Sequence, residues 1–281
     1  MNTLQLINFG SRELSRKKID SCILDSELLL SKILNKKREE ILINLNQEVC
    51  QKHFANYKKL ILRRSQHEPI AYIMEEKEFW SKNFIVSPDT LIPRPETELM
   101  VEKLVEIFKE KKISILDMGT GSGCIIISLL SEIKNSTGVG IDISKKALVI
   151  AKKNSKKHNL QNKIKFLNKA LDGKFYQKFD LIVSNPPYIK SSTIKNLKED
   201  IKRHEPRIAL DGGNDGLDLI KKVIYKTKYI LKVKGMLALE IGNEQFKKVS
   251  KILLENNFRI EHTIKDYKEN IRCIITTYIG K

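Results

Sequence analysis

The spacing of apolar positions changes character twice along this chain. Up to about residue 65 it follows helical steps. Leu4, Leu6 and Ile7, then Ile19, Cys22, Ile23, Leu24, Leu28, Leu29, Leu30, Ile33 and Leu34, recur at i, i+3 and i+4 without strand alternation. This predicts a small helical bundle over 1–75. Asp25 and Glu27 fall in the middle of its second helix, where solvation or packing against a neighbouring cation is expected. From Glu78 to Val86 the pattern turns aromatic and alternating, with Phe79, Trp80, Phe84 and Val86. A β-hairpin turning around Ser81-Lys82-Asn83 is predicted there, within a linker over 76–92 that bridges two domains.

Beyond it, helical and strand patterns alternate. Leu99, Val101, Leu104, Val105 and Phe108 form a helical stripe whose start carries Pro93, Pro95, Glu96 and Glu98, a stiff lead-in with acids placed for the helix's positive end. Strands are predicted from Ile113 into the glycines at 119–123, at 138–142, 164–167, 179–183, 235–241, 258–264 and 271–278. Helices are expected at 124–130, after a Ser144 N-cap, at 216–231 and at 244–255. Strands linked by helices, with two late strands side by side, predict an α/β fold over 93–281. Its core is a Rossmann-like, seven-stranded, mostly parallel sheet closed by a late hairpin.

Composition narrows the class without choosing a function. With 41% apolar and 31% charged residues the chain is globular. No apolar run approaches the length of a membrane span, and the first ten residues lack the form of a leader, so a cytoplasmic protein is expected. Cys22, Cys50, Cys124 and Cys273 are scattered, with no C-x-x-C and no histidine at ligand spacing, so neither disulfides nor a metal are expected. The net charge of +18 comes from dispersed lysines and not from arginine clusters interleaved with aromatics, which gives no support to sequence-specific nucleic-acid reading.

Three short stretches carry chemistry. In Ile115-Leu116-Asp117-Met118-Gly119-Thr120-Gly121-Ser122-Gly123 an apolar strand runs into alternate glycines and then an apolar helix. That is a nucleotide-type βα unit. Its G-x-G-x-G spacing suits a nucleoside with a compact charged tail better than a dinucleotide. Gly138-Val139-Gly140-Ile141-Asp142 is a second strand ending in a carboxylate, placed to accept hydrogen bonds from ribose hydroxyls. Asn185-Pro186-Pro187-Tyr188 follows the apolar run Asp180-Leu181-Ile182-Val183-Ser184. Two prolines fix the backbone and donate no amide hydrogen, leaving rigid carbonyl acceptors beside the Asn185 side chain. The stretch reads as a clamp for a planar NH2 group, with Tyr188 as a cover. A base amino group and a side-chain amide fit it equally.

These residues resemble the family of release-factor glutamine N5-methyltransferases, and the likeness extends over nearly the whole chain. Beyond the two shared stretches it rests on Glu68-Pro69-Ile70-Ala71-Tyr72-Ile73, Glu78-Phe79-Trp80, Ile92-Pro93-Arg94-Pro95-Glu96-Thr97-Glu98, Glu205-Pro206 and Leu210-Asp211-Gly212-Gly213-Asn214-Asp215-Gly216-Leu217. The proline-bracketed Arg94 segment is the most particular of them. The resemblance implies a helical bundle that grips a release factor and a class I methyltransferase domain that uses S-adenosyl-L-methionine. The acceptor is then the glutamine of the Gly-Gly-Gln motif of class 1 peptide chain release factors. It also implies site roles: Asn185 and Pro186 catalytic; Asn185, Pro186, Pro187 and Tyr188 against the substrate, with Phe79 or Trp80 as further walls; Gly119, Thr120, Gly121, Ser122, Gly123, Asp142, Ala170 and Asn185 around the cofactor. A monomer without a stable nucleic-acid partner is expected.

The chain departs from the family pattern at His67 and Glu75, where relatives tend to have glycine, and at Lys169, where they usually carry an acid. Backbone at Ala170, with Asn168 or Asp172, is expected to take over part of the adenine contact. An adenine-N6 or guanine-N2 nucleic-acid methyltransferase is the alternative the clamp allows. Such enzymes acting on DNA usually add a recognition domain, whereas the residues after Tyr188 are used up completing the sheet. A binding module without turnover is opposed by the intact Gly119, Gly121, Asp142 and Asn185.

Overall fold

The computed structural model describes residues 1–171 and 173–280. They divide into two units, Met1–Glu76 with Lys198–His204, and Lys77–Leu197 with Glu205 onward.

In the first unit the helical stripe becomes α1 (Thr3–Ser15), α2 (Cys22–Leu34), α3 (Arg38–Ile43), α4 (Gln51–Ser65) and α5 (Ile70–Met74). Asn2 and Gln5 close a reciprocal capping box on α1, which satisfies two orphan amides at its start. Leu6, Leu14, Leu29, Leu30, Tyr57 and Ile73 form the fully buried centre. Asp25 and Glu27 are both buried and both paired with cations: Arg64 Nε donates to Asp25 at 2.7 Å, and Arg38 Nε to Glu27 at 2.6 Å. Of the two sequence expectations for these acids, packing against a cation is the one realised. Arg64 also holds Asp200 at 3.0 Å, which ties the sequence-distant Lys198–His204 into this unit.

His67 and Glu75, the positions where the family tends to have glycine, both lie in the left-handed region at φ 65°. A Cβ is costly in that conformation, so the relatives' glycines have a backbone reason. Glu75 terminates α5, is exposed, and has a loose, solvent-screened ion pair with Lys32 at 3.6 Å. Glu75→Gly is therefore expected to stabilise this unit by about 1 kcal/mol, while Glu75→Ala, which keeps the Cβ, gains nothing. Urea denaturation of both variants followed by far-UV circular dichroism checks this; equal midpoints would contradict it.

The hairpin is β1 (Glu76–Phe79) and β2 (Lys82–Ile85). Its turn is Trp80-Ser81, both at positive φ (53° and 51°), instead of the expected Ser81-Lys82-Asn83. Two left-handed residues in a row match the twist of a tight hairpin, but without the usual glycine or asparagine the turn is invisible in the sequence. Nor does the hairpin act only as a linker. Phe79 and Phe84, 1% and 0% exposed, belong to the core of the second unit.

The rest of the second unit runs α6 (Pro95–Phe108), β3 (Ser114–Met118), α7 (Cys124–Glu132), β4 (Thr137–Asp142), α8 (Lys145–Lys157), β5 (Ile164–Asn168) and β6 (Phe179–Ser184). After α9 (Glu199–His204), which belongs to the first unit, come α10 (Asp218–Ile230), β7 (Leu231–Glu240), α11 (Phe246–Glu255), β8 (Phe258–Lys265) and β9 (Ile271–Tyr278). The sheet has seven strands in the order β5-β4-β3-β6-β7-β9-β8, parallel except at β9, which runs antiparallel to both its neighbours. The expected α/β sheet with its late hairpin is what the structure has. β7 begins four residues before the expected Gly235: Leu231 pairs with Phe179, and Lys234 at φ 62° interrupts the alternation before Met236 resumes pairing with Leu181. Strand order reverses between β3 and β6. The crevice at their carboxyl ends is where ligands enter such sheets.

Candidate active site

β3 and β6 are hydrogen-bonded parallel neighbours, and Ser184 Oγ ties their ends together by donating to the Met118 carbonyl at 2.7 Å. The glycine turn and Asn185 are thereby brought together from distant sequence positions. Around them lies a cavity of about 360 Å³ that Gly119, Gly121, Asp142, Ala170, Asn185, Pro186 and Pro187 all line. Gly119 and Gly121 have φ of 81° and 54°, and a Cβ on either would project into open space. Their bare backbone is the floor of a cradle that side chains would fill.

Asp142 closes one side. Its Oδ2 accepts the Gly121 amide at 2.9 Å and its Oδ1 the Ser144 amide at 2.8 Å, so the carboxylate is held rigidly at the mouth of β4. Burial raises its pKa, against the lowering effect of those amides. Ile143, exposed next to it and also lining the cavity, is a flat apolar wall that periodicity did not single out. Opposite, Ile208 and Ala209 add apolar surface from the segment after Glu205. Glu205 holds Arg94 Nη2 at 2.6 Å and the Ile92 amide at 3.4 Å, which fixes the proline-bracketed segment there. Leu91 of that segment faces the cavity, while Arg94 is not among the residues lining it.

Asp117 lies under the turn, fully buried. Its Oδ2 accepts the Thr120 hydroxyl at 2.7 Å, and its Oδ1 meets no donor among the described residues. Burial first, and then the negative charge of Asp142, raise its pKa to about 7. The sign follows: a carboxyl whose folded pKa lies above its unfolded value of about 4 favours the fold while protonated, and that contribution is lost as pH rises through about 7. Between pH 5 and pH 8 the loss is on the order of 2 kcal/mol. Asp117→Asn removes the titration, so its melting temperature relative to the parent is expected to be higher at pH 8 than at pH 5. The same offset at both values would contradict the assignment.

The Asn-Pro-Pro-Tyr backbone is braced from behind. Ile189 pairs with Asp211, its amide donating to the Leu210 carbonyl at 3.0 Å and its carbonyl accepting from Gly212 at 2.8 Å. A Cβ on Gly212 would sit 2.7 Å from the Pro187 carbonyl, so only glycine permits that approach. The Tyr188 carbonyl is taken by Gln245 Nε2 at 3.0 Å, whereas no donor among the described residues reaches the Pro186 carbonyl. Asn185 Nδ2 donates to Thr97 Oγ1 at 3.4 Å, and Thr97 donates in turn to Glu240 at 2.6 Å. Asn185 Oδ1 and the Pro186 carbonyl are thus two acceptors of this stretch that meet no donor among the described residues.

Several expected site residues do other work. Tyr188 is not among the cavity-lining residues: its hydroxyl donates to Glu240 at 3.2 Å and accepts from Arg272 Nη2 at 2.9 Å. Thr120 and Ser122 lie outside the lining as well: Thr120 bonds Asp117, and the Ser122 carbonyl accepts from Asn154 at 2.9 Å. Gly123 is the left-handed cap that starts α7. Phe79 is core, and Trp80 donates to Glu132 at 3.2 Å. Ala170 does line the cavity, but Asn168 spends its amide on the Asp142 and Ile143 carbonyls, and Asp172 lies outside the described residues. Lys169 lines the cavity while its amine bonds the Lys174 carbonyl at 2.6 Å. Sequence reading missed Thr97, Glu240 and Arg272.

Residues 5–74 match the PrmC N-terminal domain family, and residues 94–214 the methyltransferase small domain family. A release factor glutamine methyltransferase of Buchnera aphidicola subsp. Acyrthosiphon pisum is 40% identical over 98% of this chain and 98% of its own. The chain belongs to the release factor glutamine methyltransferase family. A bifunctional methyltransferase of Rickettsia typhi is 38% identical over 96% of the chain, which spans only 56% of that relative's length. Among solved structures, a methyltransferase from Pyrococcus furiosus superposes with a TM-score of 0.53 at 16% identity, covering 81% of this chain and 100% of its own, a likeness of fold. Family membership gives the proline-bracketed Arg94 segment and the clamp one context. No helix among the described residues is long and apolar enough to cross a membrane.

Proposed function

We propose that this chain transfers a methyl group from S-adenosyl-L-methionine to the side-chain amide nitrogen of the glutamine in the Gly-Gly-Gln motif of class 1 peptide chain release factors. It acts as a cytoplasmic monomer that needs no nucleic-acid partner, and the bundle over 1–75 contributes to gripping the release factor. The observation that carries the reading is the pair of unspent acceptors, Asn185 Oδ1 and the Pro186 carbonyl, on a backbone that prolines and the Asp211–Gly216 loop hold rigid.

The residues present fit the cofactor. Gly119 and Gly121 offer a side-chain-free floor, Asp142 a fixed carboxylate for hydroxyl donors, and Ile143 with the Ala170 backbone an apolar slot for a base. When bound, the cofactor supplies a methyl group activated by a sulfonium, so no strong base is required of the protein before transfer. An amide nitrogen is a poor nucleophile because its lone pair is delocalised into the carbonyl. The protein's task is therefore to position it. Asn185 and Pro186 accept the two amide hydrogens, fix the plane of the NH2 group and favour the positive charge that grows on nitrogen. The apolar walls exclude water, which strengthens both hydrogen bonds.

Tritium transfer from labelled cofactor, offered side by side a purified class 1 release factor, RNA and DNA, tests the proposal. Label is expected in the release factor alone. Transfer to a nucleic acid instead would move the acceptor from an amide to a base amino group.

A further inference from the structure

Behind Asn185 the polar groups form one continuous file that ends on a carboxylate. Glu240, 2% exposed, accepts the Thr97 hydroxyl on Oε2 at 2.6 Å and the Tyr188 hydroxyl on Oε1 at 3.2 Å. Arg272 Nη2 donates to Tyr188 at 2.9 Å from the other side; burial raises the pKa of Glu240, and the Thr97 hydroxyl, the Arg272 charge and the Tyr188 hydroxyl each pull against that rise. A carboxylate can only accept, and Thr97 has one hydroxyl hydrogen, which goes to Glu240. The face of the Thr97 oxygen turned to Asn185 therefore offers only lone pairs. A donor must meet it, and that donor is Asn185 Nδ2 at 3.4 Å. Because the carboxamide is planar, Oδ1 is left as the atom turned to the cavity that Asn185 lines.

We propose that Thr97 and Glu240 are positioning residues for the methyl-acceptor clamp: they set the polarity of the Asn185 carboxamide, so that the clamp takes an NH2 donor and refuses a carboxylate or carbonyl. The inference rests on the methyltransferase reading of the site. It separates a glutamine from a glutamate of nearly the same shape through a carboxylate that touches neither. With the polarity reversed, Asn185 would point NH2 at NH2. Tyr188, itself held by Arg272, donates to the second oxygen of Glu240, which opposes a turn of the carboxylate away from Thr97.

The test uses the full chain with S-adenosyl-L-methionine and a purified release factor, comparing the parent with Thr97→Val, Thr97→Ser and Glu240→Gln. Valine keeps the shape of threonine and removes only the hydroxyl. It is expected to lower kcat by about 10²-fold with cofactor affinity unchanged, and, because it also takes a donor from the buried Glu240 carboxylate, to lower the melting temperature. Serine restores most of the rate. Glutamine can turn an NH2 toward Thr97, whose hydroxyl then donates to Asn185 Oδ1 and flips it, so Glu240→Gln should match Thr97→Val. A merely structural role would move cofactor affinity together with kcat.

A second readout needs no substrate. Hydrogen exchange of the Asn185 side-chain NH2, followed by nitrogen-15 NMR, is expected to be slow in the parent and in Thr97→Ser and fast in Thr97→Val. Parent-like kcat in Thr97→Val, or equal exchange in Thr97→Val and the parent, overturns the assignment. If the parent itself transfers no methyl to the release factor, the functional reading fails, and the exchange comparison alone judges the positioning role.

Discussion

Asn185→Ala is expected to lower kcat for release-factor methylation by about 10²- to 10³-fold, the loss typical of removing one preorganised hydrogen-bonding group from a reacting centre. The effect should fall on kcat and leave cofactor affinity close to that of the parent. The reason is geometric. Asn185 shares the cavity with Gly119, Gly121 and Asp142, but the glycine floor and the Asp142 carboxylate are built from β3 and β4 and do not depend on its side chain. Its Oδ1 acts where charge changes during transfer, and an interaction strengthened in the transition state appears in kcat. The Pro186 carbonyl survives the substitution and preserves a residual rate. Single-turnover kinetics with isothermal titration of the cofactor separates the two quantities. A variant with near-parental turnover would remove Asn185 from the reaction; one that loses cofactor affinity as steeply as rate would make it a cofactor ligand instead.

A second large effect is expected far from the chemistry. Arg64 is 5% exposed and Asp25 2%, their side chains meet at 2.7 Å, and the same Asp25 oxygen accepts the Ser21 hydroxyl, also at 2.7 Å. Removing the cation strands a buried carboxylate, so Arg64→Ala is expected to cost the first unit about 3–5 kcal/mol. The pair itself contributes much less than its loss costs. Arg64→Met combined with Asp25→Leu, which removes both charges and keeps the volume, is expected to recover most of that stability. Asp200, a further partner of Arg64 besides the Glu68 carbonyl, is partly exposed and can be solvated by water when the arginine is gone. The chain's single tryptophan, Trp80, lies in the second unit, so its fluorescence does not follow this transition. Urea denaturation by far-UV circular dichroism does, since the first unit is helical. A single variant as stable as the parent, or a double variant as unstable as Arg64→Ala, would contradict this account of the pair.

The parts of the site legible in the sequence are those whose chemistry is local. An apolar strand emptying into alternate glycines, a strand ending in Asp142, and two prolines after Asn185 each constrain their own backbone, so spacing alone places them at the carboxyl edge of a parallel sheet. The sheet was legible for the same reason, through strands and helices that alternate at regular intervals. What stayed hidden depends on partners far along the chain. Thr97 reads as an ordinary first-turn residue of α6 and Glu240 as the polar end of a strand. Only β3, β6 and β7 lying side by side set them behind Asn185. Tyr188 looked like a cover because an aromatic after two prolines is well placed to be one, but Glu240 and Arg272 draw its hydroxyl inward. The turn at Trp80-Ser81 and the left-handed Lys234 use residues with no turn signature. His67 and Glu75 show the reverse, with departures from the family's glycines marking the backbone conformation that the fold retained.

In the proposed reaction the clamp formed by Asn185 and Pro186 holds a glutamine amide and directs a methyl group onto its nitrogen. The most direct measurement is tandem mass spectrometry of a class 1 release factor after incubation with this chain and S-adenosyl-L-methionine. One added methyl is expected on the side-chain amide of the glutamine in the Gly-Gly-Gln motif. No added methyl is expected when that glutamine is replaced by glutamate, which brings an acceptor where the clamp needs a donor. A methyl group found on any other residue, or equal methylation of the glutamate-bearing release factor, would contradict it.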